Sequence, residues 1–550
     1  TATLSNSTSE FSGRVAATTT IAGTIFDDVN YGGGAGRTYA TANTSATGSG
    51  FANNAIGSAG TTVELYNSAG TFIATTTTTT GGAYSFPGVA AGTYTVRVVN
   101  STVRSTRTGS VADLVPVQTY NGTTTKVGGQ APEQTDAAAN TTAATLGSLS
   151  SGSGLTGITP QSIANVTVSG VSTTGPDFGF NFDLVVNTRD AGQGSLRQFI
   201  TNANNLTGET SLAQAGSNTA GALPAARETS IFMIPNAAAN AGQLAGLVSG
   251  LTSGVAVITP LTAYTQITGV GTIIDGSTQT TNIANSNATT LGTGTTVGTA
   301  ATTLSQVPGP EVRLSNGAAN ISLGLDFGSA ASNSGVRGLS IYGFGNTSYT
   351  AGSVAEIRSA ASGFTLAQNV IGSGPAAVAD PAPAGTTRFD LVYLTGANAS
   401  VSNNLLVFGT DNGVNVAGGA TSASITNNEI NNNGRLSATA GGVVVAATTA
   451  TINGNLLTNT RGAGVNLVTG GTTATVTNNT VSNNGRGTTA AVGTTAGIQL
   501  ATTGNTISTN VITNNYGAGI AALAATSTST FSQNSISANG TSTANNGAAA

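Results

Sequence analysis

Any chemistry in this 550-residue chain must be done without imidazole or thiol, because it contains no His and no Cys. That excludes His-dependent triads, cysteine nucleophiles, disulfides and thiolate zinc sites. Carboxylates remain, but only 7% of residues are charged, against roughly a quarter in an ordinary soluble domain. Glycoside hydrolysis needs two carboxylates at a set separation across the sugar. From Asp275 onward the acids are Glu311, Asp326, Glu356, Asp380, Asp390, Asp411 and Glu429, and no two lie closer than ten residues. The 121 residues after Glu429 hold no acid and three arginines. Adjacent coils could still bring Asp390 near Asp411, which is what a polysaccharide lyase or hydrolase would require. No catalytic residue is assigned, and the expectation is a protein that is not an enzyme.

Two further sets have spacing worth noting. Asp27, Asp28 and Asn30 offer oxygens at near-alternate positions, as a hard cation such as calcium requires. The rival reading is a polar strand-to-loop junction, since Gly32-Gly33-Gly34 follows where more acids should. Arg435, Arg461 and Arg486 recur at intervals of 26 and 25 residues and could line one edge of the molecule. They would grip an anionic glycan or a neighbouring subunit, or simply keep a flat surface soluble. No other cofactor is indicated. Sixteen scattered basic residues, outnumbered by 20 acids, leave no footprint for nucleic acid. No apolar run approaches the ~20 residues of a membrane span.

The elements that would position these side chains are strands. Seven segments place an Asn between an apolar residue and an aliphatic one, at Asn369, Asn404, Asn428, Asn455, Asn479, Asn510 and Asn534. Their spacings are 35, 24, 27, 24, 31 and 24, so about 24 residues is the unit and the excess is loop insertion. A second signature, Gly-Val or Gly-Ile, recurs between them at Gly413, Gly442, Gly464, Gly497 and Gly519. A coil with at least two short alternating strands cannot bury its inner face alone, but a stack of such coils can. The pattern predicts a right-handed parallel β-helix of ~10–13 rungs, about 50–60 Å long at the strand spacing. At the turns, Asn tolerates the left-handed conformation and its amide can join a ladder along the stack. Asn433-Gly434, Asn484-Gly485 and Asn539-Gly540 read as further turns. Ser195 and Gln198 form a capping box ahead of Leu196, Phe199 and Ile200, which predicts a short helix capping the first coil.

Residues 186–198 (Val-Asn-Thr-Arg-Asp-Ala-Gly-Gln-Gly-Ser-Leu-Arg-Gln) and 273–279 (Ile-Ile-Asp-Gly-Ser-Thr-Gln) resemble the opening of β-helix domains in large secreted bacterial surface proteins. Upstream, residues 82–96 read as two strands joined by a tight turn, with Tyr84 and Phe86 on one face. With residues 21–30 and 63–66 they resemble the prealbumin-like sandwich of carboxypeptidase-regulatory domains, specifically the B repeats of serine-aspartate-type surface proteins. The resemblance implies a spacer, often with calcium, and an extracellular or cell-surface setting. The expected fold is therefore all-β. An extended leader (1–20) precedes a β-sandwich (21–183), a β-helix (184–540) follows, and a tail (541–550) ends it. Residues 100–160, poor in aliphatics, fit no part of that pattern.

The functional expectation is a non-enzymatic extracellular structural protein that assembles head to tail into filaments or a coat. An open last coil would invite another chain, the leader could add as a strand to a neighbour, and low charge removes self-repulsion. Thr1 in place of Met fits a removed secretion signal. The alternative is a monomeric adhesin whose exposed Tyr342, Tyr393 and Tyr516 contact surface glycans.

Overall fold

The computed structural model describes residues 19–44, 55–105, 107–208, 210–316, 321–346, 350–381, 389–437, 440–468, 473–486, 496–523 and 528–540. The expected leader, apart from Thr19 and Thr20, and the tail 541–550 lie outside them.

The first module is a two-sheet sandwich. Its central strand, Thr19–Asp28, pairs antiparallel with Ala83–Val89 and Ala55–Gly57 and parallel with Phe178–Asn181, which in turn pairs with Val117–Asn121. The facing sheet orders Ser162–Val168, Gly92–Val98, Thr62–Asn67 and Phe72–Thr77, all antiparallel. Alternation along Ala83–Val89 buries Tyr84 and Phe86 against Ile21, Ile25, Val96 and Phe178. The module's last two long strands, Ser162–Val168 and Phe178–Asn181, fall one in each sheet.

Residues 100–160, unplaced by pattern, are fixed by a buried polar hub instead. Arg97 is fully buried and donates to Glu64 at 2.7 Å and to the carbonyls of Ala137 and Ala138. Glu64 also accepts from Asn140 N at 2.6 Å, and Asp136 accepts from Asn100 N and Gln161 N at 3.0 and 2.9 Å. A stretch with little apolar surface is thereby tied down through its backbone.

The second module is a solenoid of three parallel faces. The first face stacks ten strands from Glu228–Thr229 to Thr530–Ser532. The second stacks eleven, from Leu251–Thr252 to Ser535–Ser537, and the third eight, from Leu323–Phe327 to Ile520–Ala522. Only the Leu251–Thr252 pairing is antiparallel among them. The register places aliphatics in vertical columns: Val401, Ile425, Ile452, Val476 and Ile507 stack on the first face, all fully buried. Leu406, Ile430, Leu457, Val481 and Ile512 do the same on the second. The Gly-Val signature marks the third face, so each complete coil has three strands.

Gly338 (φ +64°) turns the corner between Gly335–Arg337 and Leu339–Tyr342. Ser195 caps the helix Leu196–Asn205 by accepting from Gln198 N at 3.2 Å, yet the Gln198 amide donates to Asp113 O and Asn202 Oδ1 rather than back to the cap. Leu196, Phe199 and Ile200 still seal the first coil, packed with Val185, Phe232 and Ile234.

The seven asparagines form a continuous, directional ladder. Asn428 Oδ1 accepts from the N–H and Nδ2 of Asn404, both at 3.0 Å. Its own Nδ2 donates to Asn455 Oδ1 (3.0 Å), Val401 O (2.9 Å) and Thr426 O (3.0 Å). The left-handed residue is not the ladder Asn but the one before it: Gln368, Asn403, Asn427, Gly454, Asn478, Thr509 and Gln533 all have positive φ. That residue makes the bend, which aims the following amide along the stack instead of into solvent.

Asn428→Ala removes those bonds and leaves the Asn404 N–H and the Val401 carbonyl buried without their partner. The expected cost is about 2–4 kcal/mol by denaturant unfolding. Thr451→Ala, on the exposed side of the same face, should stay within about 0.5 kcal/mol. Equal effects from the two would remove the ladder's structural role.

Candidate functional site

Asp27 and Asp28 end the sandwich's central strand, and both are fully buried, as is Asn30. Their surroundings supply positive charge from within the chain. Asp28 forms an ion pair with Arg37 and accepts from Thr119 Oγ1 at 3.2 Å; burial raises its pKa and Arg37 opposes that rise. Asp27 accepts from Ser105 Oγ and lies 3.8 Å from Arg107. Arg107 continues to Glu228, 2.9 Å away on the first face of the solenoid, with both side chains buried. Asn30 accepts from Ala213 N through Oδ1 (2.9 Å) and from Ala215 N through its carbonyl (2.8 Å). These residues therefore do not fit a calcium site, because two guanidinium groups already face the carboxylates that a divalent ion would need. What looked like a metal loop is the seam between the modules.

The seam is extensive. Tyr31, Val117 and Val127 of the sandwich share one apolar cluster with Leu184, Ile231, Met233 and Ile283. Val127 N donates to Gly242 O at 2.9 Å, and Asn202 on the capping helix donates to Val115 O and Phe182 O. The glycine triplet permits the approach: a Cβ on Gly32 would sit 2.2 Å from Gly216 N. Sequence reasoning missed this role because Arg107 and Glu228, the pair that bridges the modules, are 121 residues apart.

The other carboxylates are also engaged. Asp390 is buried and accepts from Asn412 N and Nδ2 (2.9 and 2.8 Å) and Asn415 Nδ2 (3.0 Å), while Asp411 sits at the neighbouring turn, its N–H donating to Phe389 O. Asp326 pairs with Arg358 at 2.7 Å. Glu429 accepts from Thr293 N and Oγ1 (2.7 and 3.0 Å). Thr293 belongs to a hairpin arm, Thr290–Leu291 to Val307–Pro308, that no pattern announced. This arm lies along the second face, with Leu291 and Val307 against Val370, Leu405 and Val407, and Val297 and Leu304 against Leu456. Thr299 N reaches Thr509 O at 2.8 Å, so the arm straps several rungs together.

Glu356 is fully buried and pins the Gly343-Phe344 turn through backbone N–H bonds of 2.8 and 3.3 Å. Burial pushes its carboxyl up to about 8 although those donors pull it back.

A second row of amides was read only as turns. Asn484 donates to Asn515 Oδ1 at 3.1 Å and Asn515 to Asn539 Oδ1 at 2.9 Å, between the second and third faces. The available signal was an Asn five residues after a ladder Asn, as at 428 and 433, 479 and 484, 510 and 515, and 534 and 539. Tyr342, Tyr393 and Tyr516 are half-buried rather than exposed. Tyr342 lies under Arg313 and Tyr516 under Arg486, at 5.5 and 5.6 Å, and Tyr393 stands beside Arg358 on the adjoining strand. They do not form one platform.

Arg435, Arg461 and Arg486 do share a corner on successive rungs. Arg435 pairs with Asp380 and donates to Phe408 O at 3.2 Å; Arg461 donates to Arg435 O at 2.8 Å; Arg486 donates to Asn459 Oδ1 at 3.2 Å.

Residues 42–153 match the family model of the SdrD B-like domain, and residues 271–536 match that of the right-handed β-helix region. The chain thus joins a B-repeat-like sandwich to a right-handed parallel β-helix. No curated protein matches it. Among solved structures it is similar to the A-module of the Azotobacter vinelandii mannuronan C-5 epimerase AlgE6. Identity is 13% over 52% of this chain and 91% of that one, with a TM-score of 0.18. Among the described residues, no helix is long and apolar enough to cross a membrane.

Two outcomes test the seam and the buried acid. Arg107→Ala leaves Glu228 buried without its guanidinium and should cost about 3–5 kcal/mol, whereas a chelator should leave the wild-type melting temperature unchanged. A large drop on chelation would restore the metal reading. For Glu356, the folded pKa near 8 lies above the ordinary 4.5, so its contribution is complete below about pH 4.5 and is lost as pH rises through about 8. Melting temperature should fall over that window, and Glu356→Gln should flatten the fall. A slope unchanged in the variant would show that other groups cause it.

Proposed function

We propose that this protein is a non-enzymatic, extracellular structural element of a bacterial surface whose copies join end to end. A B-like domain and a β-helix fit an extracellular structural or adhesive role. The locked seam supports a rigid element in which sandwich and solenoid move as one piece.

The observation that carries the assembly reading is the last described rung. Phe531 and Ile536 stand directly over Ile507 and Ile512, which are fully buried, yet they are 45% and 46% exposed. The same rung ends both amide rows. Asn534 and Asn539 accept from the rung before, their Nδ2 groups donate back to Ile507 O and Ile512 O (2.7 and 3.0 Å), and among the described residues nothing continues their rows. Among the described residues the two apolar columns are thus uncovered at this rung, and an uncovered column of this kind is what one rung presents to the next. The opposite end is covered by the capping helix and the sandwich. An interface between unlike ends repeats without closing and gives a filament.

Electron microscopy of the purified chain should show filaments that lengthen with concentration, and Phe531→Asp with Ile536→Asp should reduce them to single rods. Monodisperse rods at all concentrations, or closed dimers joined at like ends, would overturn this reading.

A further inference from the structure

The arginine corner has chemistry that the structural role does not use. With Phe408, Asn432, Asn433 and Asn459, the three arginines line a groove of about 420 Å³. Arg435 is neutralised by Asp380. Among the described residues no carboxylate pairs with Arg461 or Arg486, and no acid follows Glu429 in the sequence. Both side chains are nevertheless held in place. Arg461 is tied by one nitrogen to the Arg435 carbonyl, and Arg486 is tied to Asn459 and laid over the Tyr516 ring. Two restrained, uncompensated guanidinium groups on neighbouring rungs repel each other unless an anion lies between them. Each keeps donors free for a planar, two-pronged acid.

We infer that this groove binds an anionic polysaccharide, with its acid groups on Arg461 and Arg486. Spacing argues against an extended acidic peptide. Neighbouring rungs are ~4.8 Å apart, whereas an extended peptide presents same-side acids about 6.8 Å apart, two residues along. Asn432 and Asn459 add amide donors and acceptors of the kind that sugar hydroxyls require. Binding of this type involves a single rod and does not depend on assembly.

The test is retention of the full chain, carrying Phe531→Asp and Ile536→Asp to keep it single, on immobilised polymers. Polygalacturonate supplies carboxylates, dextran sulfate supplies sulfates, neutral dextran is the blank and polyglutamate is the acidic peptide. Retention is expected on one or both acidic glycans, and the stronger of the two identifies the acid recognised. It should vanish near 1 M salt, where the screening length is about 3 Å. Arg461→Gln and Arg486→Gln should each weaken it roughly tenfold at unchanged melting temperature, and Asp380→Asn, which releases Arg435, should strengthen it. Equal retention on neutral dextran, preference for polyglutamate, or full retention by the double arginine variant would overturn the inference.

Discussion

The whole solenoid rests on one constraint: each rung can satisfy its backbone, its amides and its apolar side chains only through the rungs on either side. The Asn rows show this most clearly. From Asn369 to Asn510 each ladder amide accepts from the rung before and donates to the Asn of the rung after, always in the same sense, and Asn534 accepts from Asn510. The stack is therefore polar, and its two ends cannot be alike. One end is sealed by an amphipathic helix and a sandwich; at the last described rung, Phe531 and Ile536 are half exposed.

Charge is used sparingly, and ion pairs tie irregular segments to the regular ones. Arg97 with Glu64 and Asp136 fixes the irregular stretch of the sandwich, Arg107 with Glu228 joins the modules, and Arg435 with Asp380 anchors a loop to the rod. In the coils after Glu429, where no acid remains, neutral amides and hydroxyls join the rungs without the desolvation cost of an ion. Among the described residues, Arg461 and Arg486 have a geometric hold but no carboxylate partner.

Much of the fold was legible because its period is written in residue types. Asn369 through Asn534 gave the coil length, the Gly-Val pairs marked the third face, and Leu196, Phe199 and Ile200 gave the cap. The corners were less legible, since the left-handed position accepts Gln, Thr, Gly or Asn alike and has no letter of its own. The hairpin arm over the second face left no trace in the pattern either. Its strands are two residues long, and they are held by contacts with rungs up to 210 residues away.

The sequence by itself determined that a parallel stack must form, because aliphatics at coil spacing have no other way to leave water together. It also determined which amides would run along that stack. Only the tertiary structure decided what Asp27, Asp28 and Asn30 are for. Their local spacing suits a cation, but Arg37, Arg107 and the backbone of residues 213–215 arrive from elsewhere in the chain and take those oxygens first. Short-range pattern fixes what a residue can do; which partner reaches it is set by how distant segments fold back.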